Sequence, residues 1–456
     1  MYHIFVDRFA KTRHADTAGF SVTWGSSPTR TGFMGGTLQG IIDRLPYLQN
    51  LGVNLLYLTP IFLSSSNHRY NTYDYYRIDP RLGSLEVFDA LIAKAHVRNI
   101  RVILDGVFNH CGRGFFPFYD VMENGAHSAF SKWFHIRRFP VRAYGEGSYR
   151  GWQDRPVMPI LNLANPAVRE YFLGVARYWT SRGIDGWRLD AVGEVRGHTF
   201  WKAFRRAVRQ INPEAYLLAE FWGDGKAWIR EEQFDGGTNY VWREIVLDFL
   251  VRRKTRANIF ASRLSRLLKR YPWDQATAMV NVLGSHDTRR LYSVAKGDLD
   301  RIKLALVLQF AFPGIPSVYY GDEIGLEGGN DPDNRRAMKW RAADWNLELR
   351  LFVQRLIEIR KSLPVLRHGD WKTVYADSAT GLCVFSRSHN GSRAVVVLHS
   401  HHRPLSSAVS IGASKGQIPR RWKDHLSQNE YAVQKGQLLL QNIHPRTGLI
   451  LTAVDD

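Results

Sequence analysis

The chain reads as an α/β protein built on a (β/α)8 TIM barrel, with an insertion subdomain after the third strand and a C-terminal all-β sandwich. Three observations carry this reading. Short β-rich runs alternate with amphipathic helical stretches, the βαβ signature of a parallel sheet. The alternation delivers eight strands over about 370 residues, which favours a barrel with insertions over a doubly wound sheet. Beyond about residue 370 the pattern changes to short strands separated by turn signals, the mark of a sandwich.

The elements follow in order. "YHIFVDRF" opens as the first strand, and helical "TLQGIIDRLPYLQNLG" leads to "VNLLYLTP"; "SLEVFDALIAKAHVRN" then leads to "IRVILDGVFNH". Residues 111–160, rich in Gly, Phe, Tyr and Arg, are too long for an ordinary loop and form the insertion. Asn165 is placed to cap a helix that has Pro166 in its first turn and Gly183 as its stop. The strands "GWRLD", "AYLLAEFW", a short one near "FDGGTNY", "AMVNVLGSHD" and "PSVYYGDE" complete the eight. The expected domains are therefore 1–110 with 161–370 as the barrel, 111–160 as the insertion and 371–456 as the sandwich. There is no internal repeat and no low-complexity segment.

Composition excludes several classes of function. With 45% hydrophobic and 13% aromatic residues the chain can bury a large core, yet no apolar run reaches 18 residues, so no membrane span is expected. The N-terminus lacks the order of segments of a signal peptide, and only Cys111 and Cys383 occur, which fits a reducing compartment and a cytoplasmic location. A net charge of +20 suggests nucleic acid, but the arginines are dispersed and no recognition motif accompanies them. Neither a nucleic-acid nor a membrane partner is expected.

Charged residues that break the apolar strand pattern cluster at strand ends: Asp105 and His110, Arg188 and Asp190, Glu220, then His286 and Asp287. Catalytic groups of such barrels sit at those ends. Arg188 and Asp190 are two apart on a strand, so they share a face and must be paired or used. A structural ion pair explains that couple taken alone. It does not explain four strands delivering more acids than bases to one mouth, where like charges raise one another's pKa.

These segments carry a resemblance. "DGVFNH" (105–110), "GWRLDAVGE" (186–194), "AEFW" (219–222) and "LGSHD" (283–287) resemble the four ordered motifs of the α-amylase family, glycoside hydrolase family 13. "MPILN" (158–162) and "PGIPSVYYGDEIGLEGGNDPDNRRAMKW" (313–340) are similar to segments of its neopullulanase, cyclomaltodextrinase and maltogenic amylase branch. The resemblance covers essentially the whole chain.

It implies a retaining mechanism, in which Asp190 is the nucleophile and Glu220 the acid and base, roughly 5–5.5 Å apart. It makes Asp287 the third carboxylate, gripping hydroxyls of the distorted sugar, and Arg188 the partner that holds Asp190 ionised and oriented. His110 and His286 are expected to donate to the same ring; a lone His at a strand end is more often structural, but two flanking the acids shift the balance. Asp105 either touches the sugar or orients Arg188. Tyr70 matches the aromatic platform under the sugar, with His68 beside it, although aromatic residues are also readily buried as core. Asp331 and Arg335 match residues for the next sugar toward the non-reducing end, and Trp222 and Glu194 fall on the leaving-group side.

The sequence departs from that branch in two ways. Met1 stands almost directly before the first strand, where the branch carries an N-terminal β-sandwich that mediates dimers, so a monomer, or a dimer through another surface, with an open cleft for long linear glucans is expected. The stretch "AKTRHADTAG" (10–19) is not an Asn/Asp-rich calcium loop, and Asn109, which matches a calcium ligand of other amylases, lacks its evident partners. No metal and no cofactor are expected. The resemblance implies a hydrolase of α-1,4 and perhaps α-1,6 bonds in starch, maltooligosaccharides, pullulan or cyclodextrins; the alternatives are a glucanotransferase on the same scaffold and a non-catalytic sugar-binding relative.

Overall fold

The computed structural model describes residues 1–12, 22–143, 147–195, 197–229, 232–412 and 419–454. Residues 13–21, on which most of the calcium-loop expectation falls, lie outside them. The chain forms two compact units, Met1–Thr238 with Asp331–Met338, and Asn239–Asn330 with Lys339–Asp456.

The first unit carries six parallel strands: β1 (Tyr2–Ile4), β2 (Leu55–Leu58), β3 (Arg101–Gly106), β4 (Gly186–Leu189), β5 (Tyr216–Ala219) and β6 (Gly236–Gly237). They pair in the order β6-β5-β4-β3-β2-β1. Helices cover the sheet, so its strands are buried on both faces and read as continuous apolar runs; Val102 through Leu104 and Trp187 are inaccessible or nearly so. Register sets the site: Asp105 lies opposite Arg188, and Leu189 opposite Ala219, one residue before Glu220. The helix Pro166–Ser181 starts as expected, with the Asn165 side chain accepting the Ala167 N–H at 2.9 Å, and Gly183 beyond its end adopts φ 89°.

The first strand is shorter than its sequence suggests. Val6–Phe9 is a helical turn, because the buried Asp7 carboxylate gathers the Arg8 guanidinium at 2.6 Å and the Met34 N–H at 3.0 Å. The insertion contains a helix, Phe116–Asn124, and a hairpin of Gly151–Trp152 with Arg155–Pro159.

The second unit holds the parallel pair β7 (Val280–Val282) and β8 (Ile315–Tyr319), bringing the parallel strands to the eight of a (β/α)8 barrel. It also holds an antiparallel C-terminal sheet of eight strands: β9 (Lys372–Asp377), β10 (Leu382–His389), β11 (Ser392–His399), β12 (Leu405–Ser410), β13 (Arg421–Asp424), β14 (Glu430–Gln434), β15 (Gln437–Ile443) and β16 (Thr447–Ala453). Their order is β9-β10-β11-β16-β13-β14-β15-β12. Alternate residues, among them Leu382 and Val384, Val395 and Val397, Leu438 and Leu440, enclose one core with Trp422.

Two arginines of this unit grip backbone carbonyls, Arg360 among its helices and the buried Arg387 between helices and that sheet. Arg360 donates to the carbonyls of Phe310 (2.6 Å) and Gly314 (2.5 Å), and Arg387 on β10 to those of Ala311 (2.6 Å), Leu366 (3.0 Å), Gly369 (2.5 Å) and Asp370 (2.5 Å). Burial lowers their guanidinium pKa values to about 10 and about 9. No described helix is long and apolar enough to cross a membrane.

Candidate active site

Arg188 is the hub of a buried cluster at the ends of β3, β4 and β5. Its Nη1 donates to Asp105 Oδ1 (2.9 Å) and Asp190 Oδ1 (2.8 Å), and its Nη2 lies 2.7 Å from Glu220 Oε1. One guanidinium thus serves three carboxyl groups. Asp105 is held further by the hydroxyls of Tyr57 and of Tyr70, the latter at 2.7 Å. Burial and the adjacent carboxylate push both phenols well above the usual range, so they remain donors.

The backbone completes the arrangement. Asp190 N–H continues the β3 pairing to Gly106 O at 3.0 Å, after which Ala191 turns the chain at φ 48° and its N–H meets Glu220 Oε2 at 3.0 Å. A side chain at positive φ is uncommon and marks a constrained turn. Here the turn aims an amide at Glu220.

Arg188, expected as the partner of Asp190, is shared among three carboxyl groups. Burial, then Glu220, push the Asp190 carboxyl well above its ordinary value, and Arg188 pulls it back only in part. Asp105 is likewise raised by burial against the pull of Arg188.

The flanking residues divide by role. His68 Nδ1 accepts the Tyr70 N–H at 3.1 Å, so its proton sits on Nε2. Its pKa falls to about 3 through burial and the nearby Arg335, Arg69 and His110. His110 is also lowered to about 3 by burial, and its ring stacks on Trp152 at 5.1 Å. Its Nε2 is buried with no partner among the described residues. Both imidazoles are neutral at ordinary pH. Asp331 and Arg335 pair at 3.2 Å, and the Arg335 guanidinium carbon lies 5.3 Å from the Phe5 ring centroid. Burial raises Glu194, which lies beside Trp152, and Trp222 is 56% exposed. In the second unit, His286 Nε2 and Asp287 Oδ2 are 3.1 Å apart on the loop after β7.

Tyr57 and Trp152 were not foreseen from sequence. Tyr57 sits in the apolar run "LLYL" and reads as core. Its position on the strand before Asp105 was the available signal.

Asn109 opens on a cavity of about 470 Å3 whose polar lining includes His135, Arg150 and Glu194. Calcium takes six to eight oxygen ligands, with charge supplied by carboxylates. One carboxylate and the amide oxygens of Asn109 and Asn162, facing two basic side chains, fall short of that number and charge, so these side chains do not fit the ion. Among the described residues no three His, Cys, Asp or Glu side chains are grouped to hold a metal.

Comparison with known proteins shows the family. Residues 3–369 match the family model for the α-amylase catalytic domain. The chain is 41% identical to a cyclomaltodextrinase of Geobacillus thermopakistaniensis (strain MAS1), over 100% of this chain and 76% of that one. It is 40% identical to neopullulanase 2 of Thermoactinomyces vulgaris, over 99% and 77%. The solved cyclic α-maltosyl-(1→6)-maltose hydrolase of Arthrobacter globiformis, in complex with that sugar, superposes with a TM-score of 0.89 at 38% identity, over 99% and 97% of the two chains. With its strand-end carboxylates and a family match across the barrel, the chain belongs to the α-amylase family of glycoside hydrolases.

Proposed function

We propose that this enzyme hydrolyses α-1,4 and α-1,6 glucosidic bonds of α-glucans with retention of configuration. The observation that carries the reading is the single Arg188 fork, which reaches Asp190 and Glu220 at 2.8 and 2.7 Å. Two carboxyls on one guanidinium must be neighbours. That supports the short spacing of retaining enzymes, roughly 5–5.5 Å, over the wider gap that inverting enzymes leave for water.

In the first step Asp190 attacks the anomeric carbon while the bond to the leaving oxygen breaks and Glu220 gives that oxygen its proton. In the second, water attacks the same carbon, Glu220 takes the water's proton, and Asp190 leaves. Asp287 is the third carboxylate by its motif match, with His286 beside it. The neutral His68 and His110 donate to sugar hydroxyls, and the Tyr70 ring offers its face. Asp331 and Arg335 take the next sugar on the non-reducing side, and Glu194 and Trp222 the leaving-group side.

Neighbours that cleave cyclodextrin-type or cyclic (1→6)-containing sugars, as their names state, support the choice of both linkages. Two buried free thiols, Cys111 and Cys383, are at home in the cytoplasm. A net charge of +20 opposes self-association at low ionic strength, which supports a monomer, checked by light scattering. Products from starch, pullulan and a cyclodextrin, resolved by thin-layer chromatography and by proton NMR of the first anomer released, test the whole reading. A β-anomer released first overturns retention, and products longer than the substrate move the assignment to a glucanotransferase.

A further inference from the structure

The loop Leu283–Arg290, which carries His286 and Asp287, is tied at its neck from two directions. From the helix Tyr240–Val246, Arg243 Nε donates to Leu283 O at 3.0 Å and its Nη2 to Arg289 O at 3.4 Å, gripping the two ends of the loop with one fork. From the turn after β8, Asp322 Oδ1 accepts Arg290 Nη1 at 2.8 Å. The other oxygen of Asp322 packs onto Gly284 so closely that a Cβ there would lie 2.3 Å from it. Arg290, fully buried, also donates to Tyr320 O at 2.7 Å, and its guanidinium carbon sits 4.3 and 4.7 Å from the Tyr319 and Tyr320 ring centroids.

Inside the loop the tip is closed separately. Ser285 N–H donates to Thr288 Oγ1 at 3.0 Å, the Asp287 N–H to Ser285 Oγ at 3.2 Å, and that hydroxyl lies 3.2 Å from Tyr240 Oη. The Asp287 backbone therefore hangs from a turn whose base is fixed by Arg243 and Asp322.

We infer that Arg243, Arg290 and Asp322 are positioning residues that hold the Asp287 loop in its working geometry. This rests on the reading of Asp287 as the third carboxylate. A buried ion pair is weak evidence of net stabilisation, since desolvation offsets its attraction. Fixing geometry is a better account of why these charges face each other here, because a misplacement of about 1 Å can cost roughly 10²-fold in rate.

The experiment compares Asp322→Asn and Arg243→Lys with the parent enzyme, alone and in an Asp287→Asn background, using 4-nitrophenyl α-maltotrioside. Each single variant should lose tenfold or more in kcat with KM changed less than threefold. In the Asp287→Asn background neither should cost anything further, since the group they position is gone and only coupled sites depart from additivity. Equal losses in both backgrounds, or parental kcat in both variants, overturn the inference. If Asp322→Asn does not fold, Arg243→Lys decides alone, because it keeps the charge and loses only the fork. Parental kcat in Asp287→Asn itself removes the reading of Asp287, a result distinct from failure of the clamp.

Discussion

Arg188 answers to three carboxyl groups, and this decides what its replacement does. Arg188→Lys keeps the charge but can no longer present two amino groups in one plane, so Asp190 and Glu220 lose their common reference. Activity should fall roughly 100-fold, about 2.7 kcal/mol of barrier; near-parental kcat/KM would return the couple to a structural ion pair. Asp190→Asn and Glu220→Gln should each lose several powers of ten, at about 1.4 kcal/mol per tenfold. A rate above one tenth of parental in either, on the same assay, removes that residue from the chemistry. His68 and His110 carry a pH signature. Their folded pKa values of about 3 lie below the ordinary 6.5, so the unfolded chain protonates first as pH falls. Their contribution is whole above pH 6.5 and is lost progressively toward pH 3, by up to about 1.4 kcal/mol per pH unit for each. Urea unfolding of His68→Gln and His110→Gln should show a shallower loss of stability over that window, and an unchanged slope would mean that the imidazoles are not held neutral. At this scale the sequence was legible wherever a charge interrupted an apolar run, as at Arg188, Asp190 and Glu220. It was silent on Tyr57, whose ring satisfies the core pattern while its hydroxyl serves Asp105.

Elements were legible by period and by punctuation. Asn165, Pro166 and Gly183 announced one helix because capping chemistry is local. The strand from Tyr2 was misjudged past Ile4 because the turn at Val6 depends on amides from Met34 and Gly35, far along the chain. The hairpin of the insertion was likewise hidden in a Gly- and Arg-rich stretch, yet it brings Trp152 against His110. Its tightness depends on Gly151, where a Cβ would lie 2.2 Å from Arg155 O. Gly151→Ala should therefore shift Trp152 and lower kcat/KM about tenfold, roughly 1.4 kcal/mol, with the far-ultraviolet spectrum unchanged. Parental kinetics, with unaltered tryptophan fluorescence, would show that the hairpin does not support the site.

At the scale of the whole molecule, the change of pattern near residue 370 announced a separate C-terminal sheet. It did not announce how that sheet is tied to the helices of its own unit, because Arg387 reads as one more polar residue on a strand. Its guanidinium collects four backbone carbonyls. Arg387→Met should leave the buried carbonyls of Ala311, Leu366 and Gly369 without this donor and cost about 3 kcal/mol or more, at roughly 1–3 kcal/mol per orphaned group. Thermal unfolding measures it, and a melting point within a degree of the parent would remove Arg387 from that role. Arg360 uses the same device on Phe310, Phe312 and Gly314. A joint that recognises peptide groups is indifferent to which side chains those peptides bear. Homologous chains could therefore exchange side chains at the carbonyl positions that have room for them, though not at Gly314 or Gly369, where a Cβ would lie 2.7 and 2.4 Å from a backbone oxygen. Gain or loss of a single residue between 370 and 387 would shift Arg387 against all four of its partners at once, so that length is what that stretch must preserve.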